Sequence, residues 1–198
     1  MSLTIFLALL AAYVVGSVDF AVVVGRLHGV DIRQVGSGNP GTSNVLRTLG
    51  RLPAAMVFLG DMMKGVIGAA MGAVAASAEP MSVWAFLGGL SAVIGHCYPV
   101  FHRFRGGKGV ATGAGVALFT MPIGALAVTA VWAAVVAVTR VASLGSLAVV
   151  VVAIPVALWQ GVRGSALVVL AAILVVIVWR HRGNIRRMSK GGEQKVTS

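Results

Sequence analysis

From Leu3 to Trp179 the chain is a succession of apolar runs separated by short segments that hold nearly all of its charge. A membrane helix needs about 20 apolar residues to cross roughly 30 Å of hydrocarbon, and lipid offers backbone amides no partner, so runs of this kind fold as helices. The runs are Leu3–Val24, interrupted by Asp19; Pro53 to Ala78, containing Asp61 and Lys64; Met81–Phe101; a short Val110–Phe119, stopped near Pro122; Ile123–Thr139; Leu144–Trp159, with Pro155 inside; and Ser165–Trp179. The first run has neither a basic leader nor a small-residue cleavage site, so it reads as a helix and not as a signal peptide. With 198 residues, there is room for about seven crossings and short connections. The expected fold is all-α: a single polytopic membrane domain over residues 1–187, followed by a flexible cytoplasmic tail over 188–198. A charged content of 11% against a hydrophobic content of 58% excludes an ordinary soluble domain.

The positions of the basic residues set the expected orientation. An odd number of crossings puts alternate loops on opposite sides. Arg26, Arg33, Arg47, Arg51, Arg103, Arg105, Lys108, Arg140 and the six Lys and Arg residues from Arg180 to Lys195 then share one side. Arg163 is left on the other, and Lys64 lies inside a run. Loops rich in Lys and Arg stay in the cytoplasm, which predicts an N-terminus outside and a C-terminus inside. The net charge of +11 is thus topogenic, and nucleic acid is not an expected partner.

Three basic-side segments contain more than topology asks for. The first, Gly36 to Arg47, offers Ser37, Asn39, Thr42 and Asn44 among glycines, with Arg47 as a planar cationic fork, a composition suited to cradling an oxyanion. It also spells G-x-G-x-x-G, but that fingerprint requires a strand before it and an acid on a following strand, whereas here Asp61 falls in a membrane run. The second, Gly95 to Thr112, sets Gly106, Gly107, Lys108 and Gly109 before an apolar helix, placing backbone amides and an ammonium at a helix N-terminus. It is not a nucleotide P-loop, because Gly109 stands where that motif needs Ser or Thr. The third, His181 to Arg187, brings His181 and Asn184 onto one face if the last helix continues, while its arginines read as headgroup anchors.

In this order the three segments resemble the signatures of the acyl-phosphate-dependent glycerol-3-phosphate acyltransferases, the PlsY family of bacterial phospholipid synthesis, and the likeness spans most of the chain. The resemblance implies a seven-helix inner-membrane enzyme with its active site on the cytoplasmic side. It implies transfer of a fatty acyl group from acyl phosphate to position 1 of glycerol 3-phosphate, giving lysophosphatidic acid and phosphate. It assigns Ser37, Asn39, Thr42, Asn44 and Arg47 to the anion site, Lys108 with Gly106, Gly107 and Gly109 to the acyl phosphate, and His181 and Asn184 to glycerol 3-phosphate. A serine after the fifth helix also belongs to the site, with Ser143 and Ser146 as the two candidates. The catalytic set is then Lys108, Asn184, His181 and Arg47. Partners are the two phosphate substrates and the bilayer, with no obligate protein partner.

The residues restrict the chemistry independently. An acyltransferase base made of His with an acid five positions on is absent, since Arg33, Phe101, Gly107 and Arg186 occupy those positions after the four histidines. The five acids, Asp19, Asp31, Asp61, Glu79 and Glu193, are too scattered for a magnesium cluster, so no metal or cofactor is expected. Asp61 and Lys64, three apart on one helix, are expected to pair structurally. Cys97 adjoins His96, but neighbours on a helix point about 100° apart and make a poor nucleophilic dyad. Direct transfer, with the donor's own phosphate oxygen taking the hydroxyl proton, is the expected route. A transporter or flippase for a phosphorylated small molecule is the alternative, weakened by anion-binding groups gathered on one side only.

Overall fold

The computed structural model describes Ser2–Val196; Met1, Thr197 and Ser198 lie outside the described residues, the last two being the end of the segment read as a tail. The described chain is helical without a strand: α1 Leu3–Gly16, α2 Phe20–Leu27, α3 Thr42–Leu49, α4 Arg51–Ala75, α5 Val83–Cys97, a 3-10 turn Val100–His102, α6 Val110–Thr120, α7 Pro122–Thr139, α8 Ala142–Trp159, α9 Gly164–Arg180 and α10 Arg182–Met188.

One expectation changes and another is met in part. The first apolar run is not one continuous helix, because Asp19 stops it: its carboxylate caps α2 by accepting from Val22 N at 3.2 Å and pairs with Arg33 at 2.8 Å. The count of about seven spanning helices is met in part. Five helical segments are long and apolar enough to cross, counting the broken Leu3–Leu27 as one, and the 54° bent pair α9–α10 makes up to six. The short fourth run, α6, has 11 residues and rises only about 16 Å, roughly half the hydrocarbon thickness.

Glycines set how closely the helices approach. A Cβ at Gly72 of α4 would stand 2.0 Å from Trp84 O of α5, one at Gly65 would stand 1.9 Å from Thr112 O of α6, and one at Gly115 would stand 1.9 Å from Met62 O. Helix association in lipid depends on this backbone-to-backbone contact, because lipid tails are as apolar as leucine and supply no hydrophobic drive. Outside this core, Phe6, Leu7, Leu10, Leu126, Val151, Val168 and Val175 are exposed, a surface that fits lipid and not water.

Hydrogen bonds join the basic segments at one end of the bundle. Arg180 reaches Gly106 O and Gly107 O, Ser143 reaches Glu193, and Val196 N donates to Arg140 O at 2.7 Å. At the other end Gly124 N donates to Gln160 Oε1, which ties the α6–α7 corner to the turn after α8.

Candidate active site

The three motifs converge on one cavity of about 300 Å³ at the basic end. Its polar wall carries Ser37, Asn39, Thr42, Arg47, Lys108, Gly109, Ser143, Ser146, His181 and Asn184. It then continues between helices along Val110, Ala117, Met121, Ala153, Leu170 and Ile177, so an anion cradle and an apolar slot are a single chamber.

Asn44 builds the first wall more than it faces the chamber. Its side chain, 2% exposed, donates to Ile32 O and Val35 O at 3.0 Å and accepts from Ser37 N at 2.8 Å, spending its amide on the Val35–Ser37 turn. Gly36 is required beside it, since at φ +59° a Cβ would stand 2.3 Å from Asn44 Oδ1. The turn holds Ser37 Oγ against Arg47 Nη2 at 3.4 Å. Partial burial lowers the Arg47 pKa from its ordinary value, and repulsion from Arg187 adds to this against the pull of Glu193.

The glycine loop divides its work in a way the motif alone does not show. Gly106 N donates to Cys97 O at 3.2 Å and Gly107 N to His96 O at 3.0 Å, so neither amide is turned to a ligand. Their carbonyls are drawn away by Arg180, whose Nε and Nη2 donate to Gly107 O at 2.9 Å and Gly106 O at 2.7 Å. Gly106 and Gly107 therefore frame the site, while Lys108 and Gly109, at the start of α6, line it. Burial pushes the Lys108 ammonium down to about 8; the carboxylate of Glu193 opposes this, and Arg187, Arg47 and Arg180 reinforce it.

His181 sits at the break between α9 and α10, 2% exposed, with Nδ1 2.8 Å from Ile177 O. A carbonyl only accepts, so Nδ1 carries the proton, and the neutral ring keeps a lone pair on Nε2. Of the two candidate serines, Ser143 Oγ donates to Glu193 Oε1 at 2.8 Å and Ser146 Oγ to Ala142 O at 2.9 Å; both line the chamber.

Two functional residues escape the sequence reading. Glu193 links Ser143 and Asn184 and pairs with Arg187 at 2.9 Å, so an acid isolated among basic residues near the C-terminus enters the site. Burial acts to raise its pKa, but the hydrogen bonds from Asn184, Ser143 and Arg187 together outweigh it and hold the carboxyl below its ordinary value. Arg180, counted in the sequence among the topogenic charges, is the clamp on the glycine loop and stacks over Tyr98.

The Asp61–Lys64 pair is buried, with Lys64 Nζ 2.7 Å from Asp61 Oδ1. The same ammonium donates to Val18 O at 2.7 Å, in the break between α1 and α2, and lies 3.0 Å from His96 Nδ1. No group of three or more His, Cys, Asp or Glu able to hold a metal ion occurs among the described residues. Cys97 is fully buried and absent from the chamber wall.

The family model described as Glycerol-3-phosphate acyltransferase matches residues 6–191. Relatives of that name include one from Rubrobacter xylanophilus, 43% identical over 96% of this chain and 94% of its own, and one from Azotobacter vinelandii, 41% identical over 96% and 98%. Among solved structures, PlsY (YgiH), an integral membrane glycerol 3-phosphate acyltransferase, superposes with TM-score 0.91 in its glycerol 3-phosphate form at 38% identity, covering 96% of this chain and 94% of that one. Its lysophosphatidic acid form gives TM-score 0.89 at 37% identity over the same shares. With a match over nearly its whole length and relatives at this identity, the chain belongs to the glycerol-3-phosphate acyltransferase family.

Proposed function

We propose that the protein transfers a fatty acyl group from acyl phosphate to the 1-hydroxyl of glycerol 3-phosphate, releasing lysophosphatidic acid and phosphate. One observation carries the reading: a cationic cradle opens directly into an apolar slot between membrane helices. Both reactants bear phosphate, and one bears a long chain. A site for the pair needs fixed cations beside a lipid-like channel.

In the reaction, the hydroxyl oxygen attacks the acyl carbonyl carbon, the bond from that carbon to the phosphate oxygen breaks, and the proton passes to a phosphate oxygen of the donor. Acyl phosphate is already activated, so positioning and charge neutralisation suffice. Lys108 and Arg47, with the free first-turn amides of α6, neutralise the phosphoryl charge. Ser37, Asn39 and Thr42 shape the cradle, and Asn44 holds it in place. His181, through its Nε2 lone pair, and Asn184 orient glycerol 3-phosphate, with Ser143 and Ser146 alongside. Neither metal nor cofactor takes part.

The protein sits in the bacterial inner membrane with about seven crossings, α6 being a short one, the N-terminus outside and the site on the cytoplasmic side. The clustering of the basic segments at one end of the bundle supports that orientation. Residues 1–187 form the acyltransferase domain, and the segment that follows lies on the cytoplasmic side, with Glu193 and Val196 joined to the bundle. Purified protein given acyl phosphate and glycerol 3-phosphate should release inorganic phosphate and form lysophosphatidic acid in equal amounts. Binding of both without release would leave a carrier, not an acyltransferase.

A further inference from the structure

The buried ion pair on α4 ends at a histidine that faces the chamber. His96 is 8% exposed, and both it and Asp61 line the cavity with Asn39, Gly41 and Lys108. Its Nδ1 lies 3.0 Å from Lys64 Nζ and 3.5 Å from Asp61 Oδ1. The ammonium has three N–H bonds, and within 3.0 Å of it stand two oxygens that accept, Asp61 Oδ1 and Val18 O, and one ring nitrogen, His96 Nδ1.

The proton assignment follows from this geometry. Asp61 Oδ1 and Val18 O take two of the N–H bonds, each at 2.7 Å, so the third N–H of Lys64 meets the ring nitrogen. Nδ1 must then accept, and the ring proton sits on Nε2. That nitrogen points at Gly107, where a Cβ would stand 2.1 Å from it, and makes no hydrogen bond to a described residue. Because His96 lines the chamber, an Nε2–H that no protein group accepts is open to an acceptor from outside. The adjoining groups, Lys108 and the first turn of α6, prefer an anion.

We propose that His96 is a further substrate-binding residue, donating its Nε2–H to a phosphoryl oxygen in the chamber, and that Lys64 and Asp61 are positioning residues that hold it in the donor tautomer. The Gly107 side then has a second purpose: the missing Cβ leaves the ring nitrogen access to the ligand. This rests on the acyltransferase reading only in its choice of a phosphate ligand, which belongs to glycerol 3-phosphate or to acyl phosphate.

Wild-type protein with ¹⁵N-labelled histidine gives the direct test. The His96 ring should show a protonated Nε2 and an unprotonated Nδ1, and the Nε2 resonance should move on titration with glycerol 3-phosphate or inorganic phosphate. A protonated Nδ1, or an Nε2 unmoved by saturating phosphate ligands in a preparation that turns over, would overturn the proposal. A preparation that binds both substrates without turnover counts against the acyltransferase reading instead. His96→Asn keeps an acceptor for Lys64 and removes the Nε2 donor. It should stay folded and raise the KM of one phosphate substrate about tenfold or more, the affected substrate naming the source of the phosphoryl group. A folded His96→Asn with both KM values unchanged would refute the binding role, and where that variant fails to fold the wild-type spectrum decides.

Discussion

In the proposed transfer, charge neutralisation rests most on Lys108, which lines the chamber and whose ammonium burial has brought down to about 8. In the free enzyme it is charged below that pH and neutral above it. Since kcat/KM reports the free enzyme, it should be flat on the acid side of about 8 and fall about tenfold per unit above it. Lys108→Arg should push that limb beyond the working range, and Lys108→Ala should cut kcat about 10²–10³-fold or more in a protein that elutes normally. A pH profile that keeps its limb in the Arg variant would assign it elsewhere. Cys97 gives the opposite expectation. Fully buried and off the chamber wall, it has no path to the acyl carbonyl. Cys97→Ser should retain substantial activity, and incubation with acyl phosphate alone should leave no acyl-enzyme by mass spectrometry. An acylated Cys97 together with a dead serine variant would replace direct transfer with a two-step mechanism.

The tail and the glycine-packed helices make predictions of their own. Glu193 joins Ser143 on α8, Asn184 and Arg187 on α10, so Glu193→Gln weakens three contacts at once. It should lower kcat/KM about tenfold or more with the helical content intact, whereas Lys195→Gln, two residues on and exposed, should do little. Between α4 and α5 the contact is steric. Gly72→Val should destabilise the fold by about 3 kcal/mol or more, read as earlier unfolding in detergent, because Trp84 O occupies the space of the new side chain. The contrast between these elements explains what could be read in the chain. Helices α4 to α9 follow from apolar runs whose ends are marked by Pro, Gly or Arg, and the three loop motifs follow from residue types with few other uses. Glu193 and Arg180 were hidden because their roles come from tertiary contacts with Ser143 and the Gly106–Gly107 loop, and local composition marks both as solvated charge. The break at Asp19 was written in the chain as an acid within an apolar run, but only its partner Arg33, 14 residues on, shows it to be a cap.

For the molecule as a whole, orientation decides whether the proposed site meets its substrates. Glycerol 3-phosphate is a charged metabolite of the cytoplasm, and a cradle facing the other way would be idle. The structure gathers Arg47, Lys108, Arg180 and Arg187 around one end, and the Gly124–Gln160 contact marks the opposite end as nearly free of basic residues, Arg163 being the nearby exception. The positive-inside rule therefore predicts that the cradle, the exposed Arg105 and the C-terminal segment face the cytoplasm, and that Ser2 and the α8–α9 turn face outward. The short α6, 11 residues from Val110 to Thr120, must join Lys108 at one face to Met121 near the other. Its start and end nevertheless lie at opposite ends of the bundle: Gly109 lines the chamber, and Gly124, just past its end, meets Gln160. Cysteines placed singly at Ser2, Gly161 and Ser189, in a background with Cys97→Ser, give the test with a membrane-impermeant thiol reagent on intact cells. Ser2→Cys and Gly161→Cys should label from outside, and Ser189→Cys only after the membrane is opened. Labelling of Gly161→Cys and Ser189→Cys from the same side would mean that α9 with α10 turns back without crossing, and the inside-facing cradle would have to be abandoned with it.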